Sequence, residues 1–232
     1  MTDAHFHRNG FETFLSCAGR EFMFCGVHPW QAGGDGAEDV LAHARMRVQE
    51  DAHVGVGEIG LDRLKTKVVP EAQRTCFVAQ LELAAECRRP VVLHGAKCWG
   101  EVVKACVPHR GAIPAFLFHG FSRSEGLLPD IFALNGFVSV GPALLNDHAV
   151  NYREMVKRLP LDRVLIETDR DWSPAVDAGG ATRDASVTGG EPPQEDLLAN
   201  LVRMMAELRN STVEAIDSAV EANAVRFTET LA

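Results

Sequence analysis

Val54-Gly55-Val56-Gly57-Glu58-Ile59-Gly60-Leu61-Asp62 is an apolar run that meets a carboxylate at Glu58 and then, one residue on, a glycine. Its valines and bounding breaks predict a strand over 54–58. The same punctuation recurs along the chain. Pro90 to Leu93 runs into His94, Ala115 to Phe118 into His119, and Val164 to Thr168 into Asp169. Near the N-terminus, Asp3-Ala4-His5-Phe6-His7 carries two imidazoles with one residue between them. Side chains alternate along a strand, so His5 and His7 share one face with Asp3, about 7 Å per repeat.

Outward from these runs, strand candidates fall at 3–7, 21–27, 54–58, 91–94, 115–119, 136–140 and 164–167, seven clear strands in all. Helical patterns occupy 38–51, 71–87, 100–106, 151–158, 194–209 and 212–230, the last opened by a capping box at Ser211-Thr212-Val213-Glu214. Strands alternating with helices predict parallel pairing through crossover helices. An open doubly wound sheet would gather its site at one switch point beside a glycine-rich phosphate loop. No such loop is present. The polar residues stand instead at the C-terminal ends of several different strands, as in a barrel whose catalytic groups converge over one mouth. The sequence therefore predicts an α/β chain folded as one TIM-like (β/α) barrel domain over 1–232. The stretch between His7 and Glu21 is too short for a helix, a strand and a second helix. The N-terminal region is thus shortened: either a strand–helix unit is missing, or 11–17 replaces it in reduced form.

Composition narrows the function. Of 232 residues, 46% are hydrophobic and 24% charged, enough for a sizeable core. A net charge of −9 argues against a protein that coats long stretches of nucleic-acid backbone. No apolar run is long enough to span a membrane. The six cysteines include no Cys-x-x-Cys pair and no secretory leader is recognisable, which predicts reduced, mostly buried thiols and a cytoplasmic location. Residues 176–196, rich in Gly, Ala, Asp, Thr and Pro, read as a long surface loop or lid. Oligomeric state is left open.

In order along the chain, Asp3-Ala4-His5-Phe6-His7, Gly26-Val27-His28-Pro29, Gly57-Glu58-Ile59-Gly60-Leu61-Asp62, the helix from Gln73 to Ala84, Pro90 to His94, His119-Gly120-Phe121-Ser122, Glu167-Thr168-Asp169 and Asn223-Ala224-Val225-Arg226-Phe227 resemble the motifs of the TatD family of metal-dependent DNases, within the amidohydrolase-like superfamily. The resemblance implies two divalent metal ions (Mg, Mn or Zn): one on His5, His7 and Asp169, the other on His94 and His119, with Glu58 bridging. Three loops depart from the family pattern, at Arg63-Leu64-Lys65, at Gly95-Ala96-Lys97-Cys98-Trp99 and at Arg170-Asp171-Trp172. All three line the expected substrate entrance.

Paired ions activate water and stabilise both the attacking and the leaving oxygen of a phosphodiester. Asp169 is the expected general base, with Glu58 the second catalytic carboxylate. His28, Lys97, Ser122 and Arg170 are candidate substrate contacts, as is Arg123. Trp30, Trp99 and Trp172 all fall on expected mouth loops, where packing and base stacking are competing roles. The function read from the sequence is hydrolysis of nucleic-acid ends by a DNase. The alternative is a small-molecule phosphoester, amide or lactone hydrolase on the same metal pair.

Overall fold

A computed structural model describes residues 1–8, 12–34, 36–122, 124–170 and 193–232, together with two short backbone segments, 175–176 and 182–183. One sheet of eight strands runs in sequence order: β1 (Asp3–Arg8), β2 (Glu12–Cys17), β3 (Arg20–Cys25), β4 (Gly55–Asp62), β5 (Val91–Ala96), β6 (Phe116–Phe118), β7 (Gly136–Val140) and β8 (Val164–Ile166). The pairing is parallel from β3 to β8. β2 is antiparallel to both β1 and β3. The sheet curls until the segment after β8 meets β1: Asp169 N donates to His5 O at 3.0 Å, and His7 N to Arg170 O at 2.7 Å.

β2 corrects the count of seven strands and settles the N-terminal gap. The missing unit is replaced by a strand at 12–17, not deleted. Two tight reversals need far fewer residues than two helical crossovers, and they turn β2 against the rest. Its N-terminal end lies at the mouth, where Glu12 pairs with Arg8. The flank so left without crossover helices still needs an apolar cover. α7 (Val213–Thr228) supplies it, packing on β2 and β8, with Phe227 stacked on Phe24 at 5.9 Å.

α1 (Ala37–Glu50), α2 (Pro70–Cys87), α3 (Trp99–Cys106), α4 (Leu128–Ala133) and α5 (Val150–Arg158) connect successive parallel strands, and α6 (Gln194–Leu208) precedes α7. α4 has no counterpart in the sequence pattern, because a six-residue helix shows too little periodicity. The cap of α7 falls one residue later than expected: Thr212 accepts from Ala215 N at 3.1 Å. Residues 176–196 lie largely outside the described residues. Within the region, β9 (Ala175–Val176) pairs with β10 (Thr182–Arg183), and the stretch ends inside α6. Among the described residues, no helix is long and apolar enough to cross a membrane.

α2 does more than present an apolar stripe. The helical spacing of Phe77, Leu81, Ala84 and Ala85 predicts one apolar stripe; the first three are buried and Ala85 is half-buried, but Gln73 and Gln80 are buried too. Gln80 Oε1 accepts from Val27 N at 2.7 Å and its Nε2 donates to Val27 O at 3.3 Å. Gln73 Oε1 accepts from Asp62 N at 2.8 Å. Two turns apart on one helix face, the glutamines fix the ends of β3 and β4 from behind. On the C-terminal side, Asn223 Nδ2 of α7 donates to Leu161 O and Val164 O at 2.8 and 2.7 Å, which anchors the start of β8.

Candidate metal centre

β1 delivers His5 and His7, β4 delivers Glu58, β5 delivers His94, and His119 and Asp169 follow β6 and β8. β4 extends to Asp62, so Glu58 sits within the strand and not at its end. Its pairing with β5 is irregular between Val56 and Ile59, which sets Glu58 off the ladder and turns it inward. At Gly60, with φ at 150°, a Cβ would meet His94 O at 2.1 Å, so only glycine lets β4 lie this close to the backbone of His94.

The two oxygens of Glu58 face different groups. Oε2 lies 3.3 Å from His5 Nε2 and 3.5 Å from His7 Nε2. Oε1 lies 2.6 Å from His94 Nδ1 and 2.7 Å from His119 Nε2. Asp169 Oδ1 completes the first group, 3.6 Å from His5 Nε2 and 3.8 Å from His7 Nε2. The halves touch, because the rings of His5 and His119 stack at 4.1 Å.

The first group fits a cation. A tetrahedral site with bonds of about 2.0–2.1 Å has edges of roughly 3.3–3.4 Å. His5 Nε2 and His7 Nε2 are 3.2 Å apart, and their separations from Glu58 are of the same length. The second group is tighter: the distances from Oε1 to His94 and His119 are those of hydrogen bonds, so a proton holds it together wherever a cation does not.

Asp3 does not join the cluster. The β1–β2 register shifts between Asp3 and Phe6, which interrupts the alternation that placed Asp3 beside His5. Its carboxylate accepts instead from Thr168 N, Thr168 Oγ1 and Gln194 Nε2 at 3.0, 2.7 and 2.7 Å. Burial still pushes its pKa up to about 6. Asp3 thus ties β1 to the turn that carries Asp169.

From its position after Glu58, Asp62 reads as a loop support or as a hydrogen-bond partner of a ligand histidine, and Glu167 as a group beside the ligands. Asp62 Oδ1 accepts from Leu64 N and Lys65 N at 2.6 and 2.8 Å. Its Oδ2 accepts from Trp30 Nε1 at 2.7 Å and lies 3.3 Å from His94 Nε2. That contact favours a proton on His94 Nε2, the tautomer whose Nδ1 can ligate a cation in place of its contact with Glu58. Glu167 accepts from Gly120 N and Ser139 Oγ at 2.8 and 2.5 Å, and its Oε1 is 3.7 Å from His119 Nδ1.

His28 is placed differently from the other imidazoles. Its Nδ1 accepts from Trp30 N at 3.2 Å, so the neutral ring carries its proton on Nε2, 3.7 Å from Glu58 Oε1. Burial lowers the His28 pKa and favours this neutral form. His28 therefore presents a donor to the cavity.

Charge follows burial and neighbours. Burial, with the charge on His119, lowers the His5 pKa to about 4. Burial alone would raise Glu58, but His119 and His5 outweigh it and hold the carboxylate well below its ordinary range. Burial would likewise lower His119, yet Glu58 and then Glu167 hold it well above the ordinary histidine value. Without a metal the cluster thus centres on an ionised Glu58 and a protonated His119.

One cavity opens over these groups. It has a volume of about 980 Å³ and is lined by His7, His28, Glu58, His94, His119 and Asp169, with Trp30, Lys65, Lys97 and Ser122 further out. Lys97 and Ser122, two of the candidate substrate contacts, line this cavity. Arg170 is not in this lining; it meets β1 through its backbone. Arg123 and Trp172 lie outside the described residues. Trp99 is 5% exposed and packs over Gly95, where a Cβ would meet its ring at 2.3 Å. Gln73 and Gln80 were missed as supports of the site; their signal was a pair of amides seven apart on an otherwise apolar helix face.

A family model described as TatD related DNase matches residues 3–229. The 3'-5' ssDNA/RNA exonuclease TatD of Erwinia billingiae is 29% identical over 201 residues, which cover 86% of this chain and 74% of that protein. An uncharacterized metal-dependent hydrolase of Bacillus subtilis is 27% identical, covering 89% of this chain and 78% of the relative. Among solved structures, a TatD homologue from Escherichia coli K12 matches with a TM-score of 0.70 and 25% identity, covering 89% of this chain and 76% of that one.

Proposed function

Because the chain belongs to the family of TatD-related DNases, metal-dependent hydrolases, we propose that it removes nucleotides from single-stranded nucleic-acid ends at a two-metal centre bridged by Glu58. The observation that carries this reading is the division of Glu58, with Oε2 toward His5 and His7 and Oε1 toward His94 and His119. In it, His5, His7, Asp169 and Glu58 would hold one ion, and His94, His119 and the other oxygen of Glu58 would hold the second. Bound divalent ions supply Lewis acidity and a water of lowered pKa. An imidazole-rich donor set favours Zn over Mg.

The chain's own groups supply the rest. Asp169 is the most exposed of the set, its side chain 48% accessible, and as general base it would take the proton of the attacking water. His28 Nε2–H, 3.7 Å from Glu58 Oε1 in the cavity lining, would orient a phosphate oxygen. Lys65 and Lys97 place positive charge around the entrance, which offsets the acidic chain where a phosphate must enter. Relatives named as exonucleases favour a phosphodiester substrate over a small amide or lactone. The test is an end-labelled single-stranded oligonucleotide with Mn²⁺. Stepwise shortening that Glu58→Gln abolishes is expected; an intact oligonucleotide with metal demonstrably bound overturns the reading.

A further inference from the structure

Trp30 is 43% exposed, a costly position for a large apolar ring, while Trp99 is buried. It stands on the wall of the cavity that holds Glu58 and Asp169. It is also held in place. The indole Nε1 donates to Asp62 Oδ2 at 2.7 Å, and the ring meets His28 edge to face at 4.9 Å. Both of those partners reach the candidate metal centre: Asp62 is 3.3 Å from His94 Nε2, and His28 Nε2 is 3.7 Å from Glu58 Oε1. Trp30 is therefore one ring away from Glu58, and its partly exposed ring lines the cavity.

Packing does not account for this arrangement. An indole serving only to fill space would be covered, as Trp99 is. A hydrogen bond at its polar edge leaves the apolar part exposed and fixes the plane of the ring. Pre-setting the ring lowers the ordering cost of a flat ligand that settles on it. Every nucleobase has a π-face, and base–aromatic stacking is tolerant of sequence.

We propose that Trp30 is the platform on which the terminal nucleobase of a single strand stacks, setting that nucleotide's phosphate over Glu58 and Asp169. The platform selects an end whose base is unpaired, since a base inside a duplex offers no free face. It rests on the nuclease reading for its catalytic consequence but not for its binding.

The experiment has two arms. In the first, a deoxynucleoside monophosphate and the matching abasic sugar phosphate are titrated against the intrinsic fluorescence of the wild-type protein and of Trp30→Phe, without turnover. The monophosphate is expected to quench wild type and the abasic compound is not; in Trp30→Phe the quench is lost. In the second, kcat/KM is measured with Mn²⁺ on single strands ending in a normal or an abasic residue. Wild type is expected to prefer the normal end by about ten- to a hundredfold. Trp30→Ala should bring that ratio toward one, mainly through KM, and Trp30→Phe should keep most of it. Equal quenching by both phosphates, or an unchanged ratio in Trp30→Ala, overturns the proposal. A protein that cuts neither strand but still shows the base-dependent quench retains the platform and loses the nuclease reading.

Discussion

Glu58 is the residue on which most of the site depends, because each of its oxygens serves a different set of imidazoles. Replacing it with Gln turns one of those oxygens into a donor. Loss of a group that merely supports a ligand costs about 10–100-fold in metal affinity or activity. Glu58→Gln is expected to exceed that range in hydrolysis of a single-stranded oligonucleotide, whereas Asp62→Ala, which frees His94 Nε2, should fall within it for metal affinity by calorimetry. His119 gives a proton prediction. Its pKa stands well above the ordinary 6.5, so the metal-free fold holds that proton at pH 7. The resulting stability is present below 6.5 and is lost as pH rises through the raised value. A ligating imidazole must be neutral, so loading metal at pH 7 should release about one proton per chain. Calorimetry in buffers of different ionisation enthalpy measures it, and no release would contradict the assignment of His119. The ligand candidates were legible because a His or carboxylate ending an apolar run is conspicuous. For Asp62 the sequence left two roles open, support of a loop or a hydrogen bond to a ligand histidine, and its contacts with Leu64 N, Lys65 N, Trp30 Nε1 and His94 Nε2 show both.

At the scale of elements, strand ends are set by side chains that reach them from behind. α2 holds Val27, next to His28, through Gln80, and Asp62 through Gln73. Gln80→Leu keeps the helix and its volume but leaves the buried Val27 N–H without a partner. It is expected to destabilise the fold by about 1–3 kcal/mol in urea unfolding. A change within 0.5 kcal/mol, the size of an ordinary surface substitution, would show that the clamp contributes nothing. These glutamines escaped the sequence reading because a polar residue on an amphipathic helix is ordinarily counted as solvent-facing. The parallel strands were legible as apolar runs with polar ends. β2 was half legible: the short interval after His7 showed that a unit was lacking, but only the pairing of β1, β2 and β3 shows a hairpin in its place.

Over the whole molecule, the barrel brings groups from β1 and from beyond β8 together, and its closure depends on contacts at that seam. Asp3 accepts three hydrogen bonds from Thr168 and Gln194 there. Asp3→Asn converts one acceptor oxygen into a donor and is expected to lower the melting temperature of the metal-free protein, with the Asp169 side of the site loosened first. A metal held by His5, His7 and Asp169 would tie the same seam, so saturating metal should raise the melting temperature and recover part of the Asp3→Asn loss. The central claim is that Glu58 stands between two ions. Anomalous diffraction at the manganese edge, from crystals equilibrated with Mn²⁺, tests it most directly. The account predicts two peaks flanking Glu58, one among His5, His7 and Asp169 and one between His94 and His119. A single peak away from Glu58, or none at saturating Mn²⁺, would contradict it.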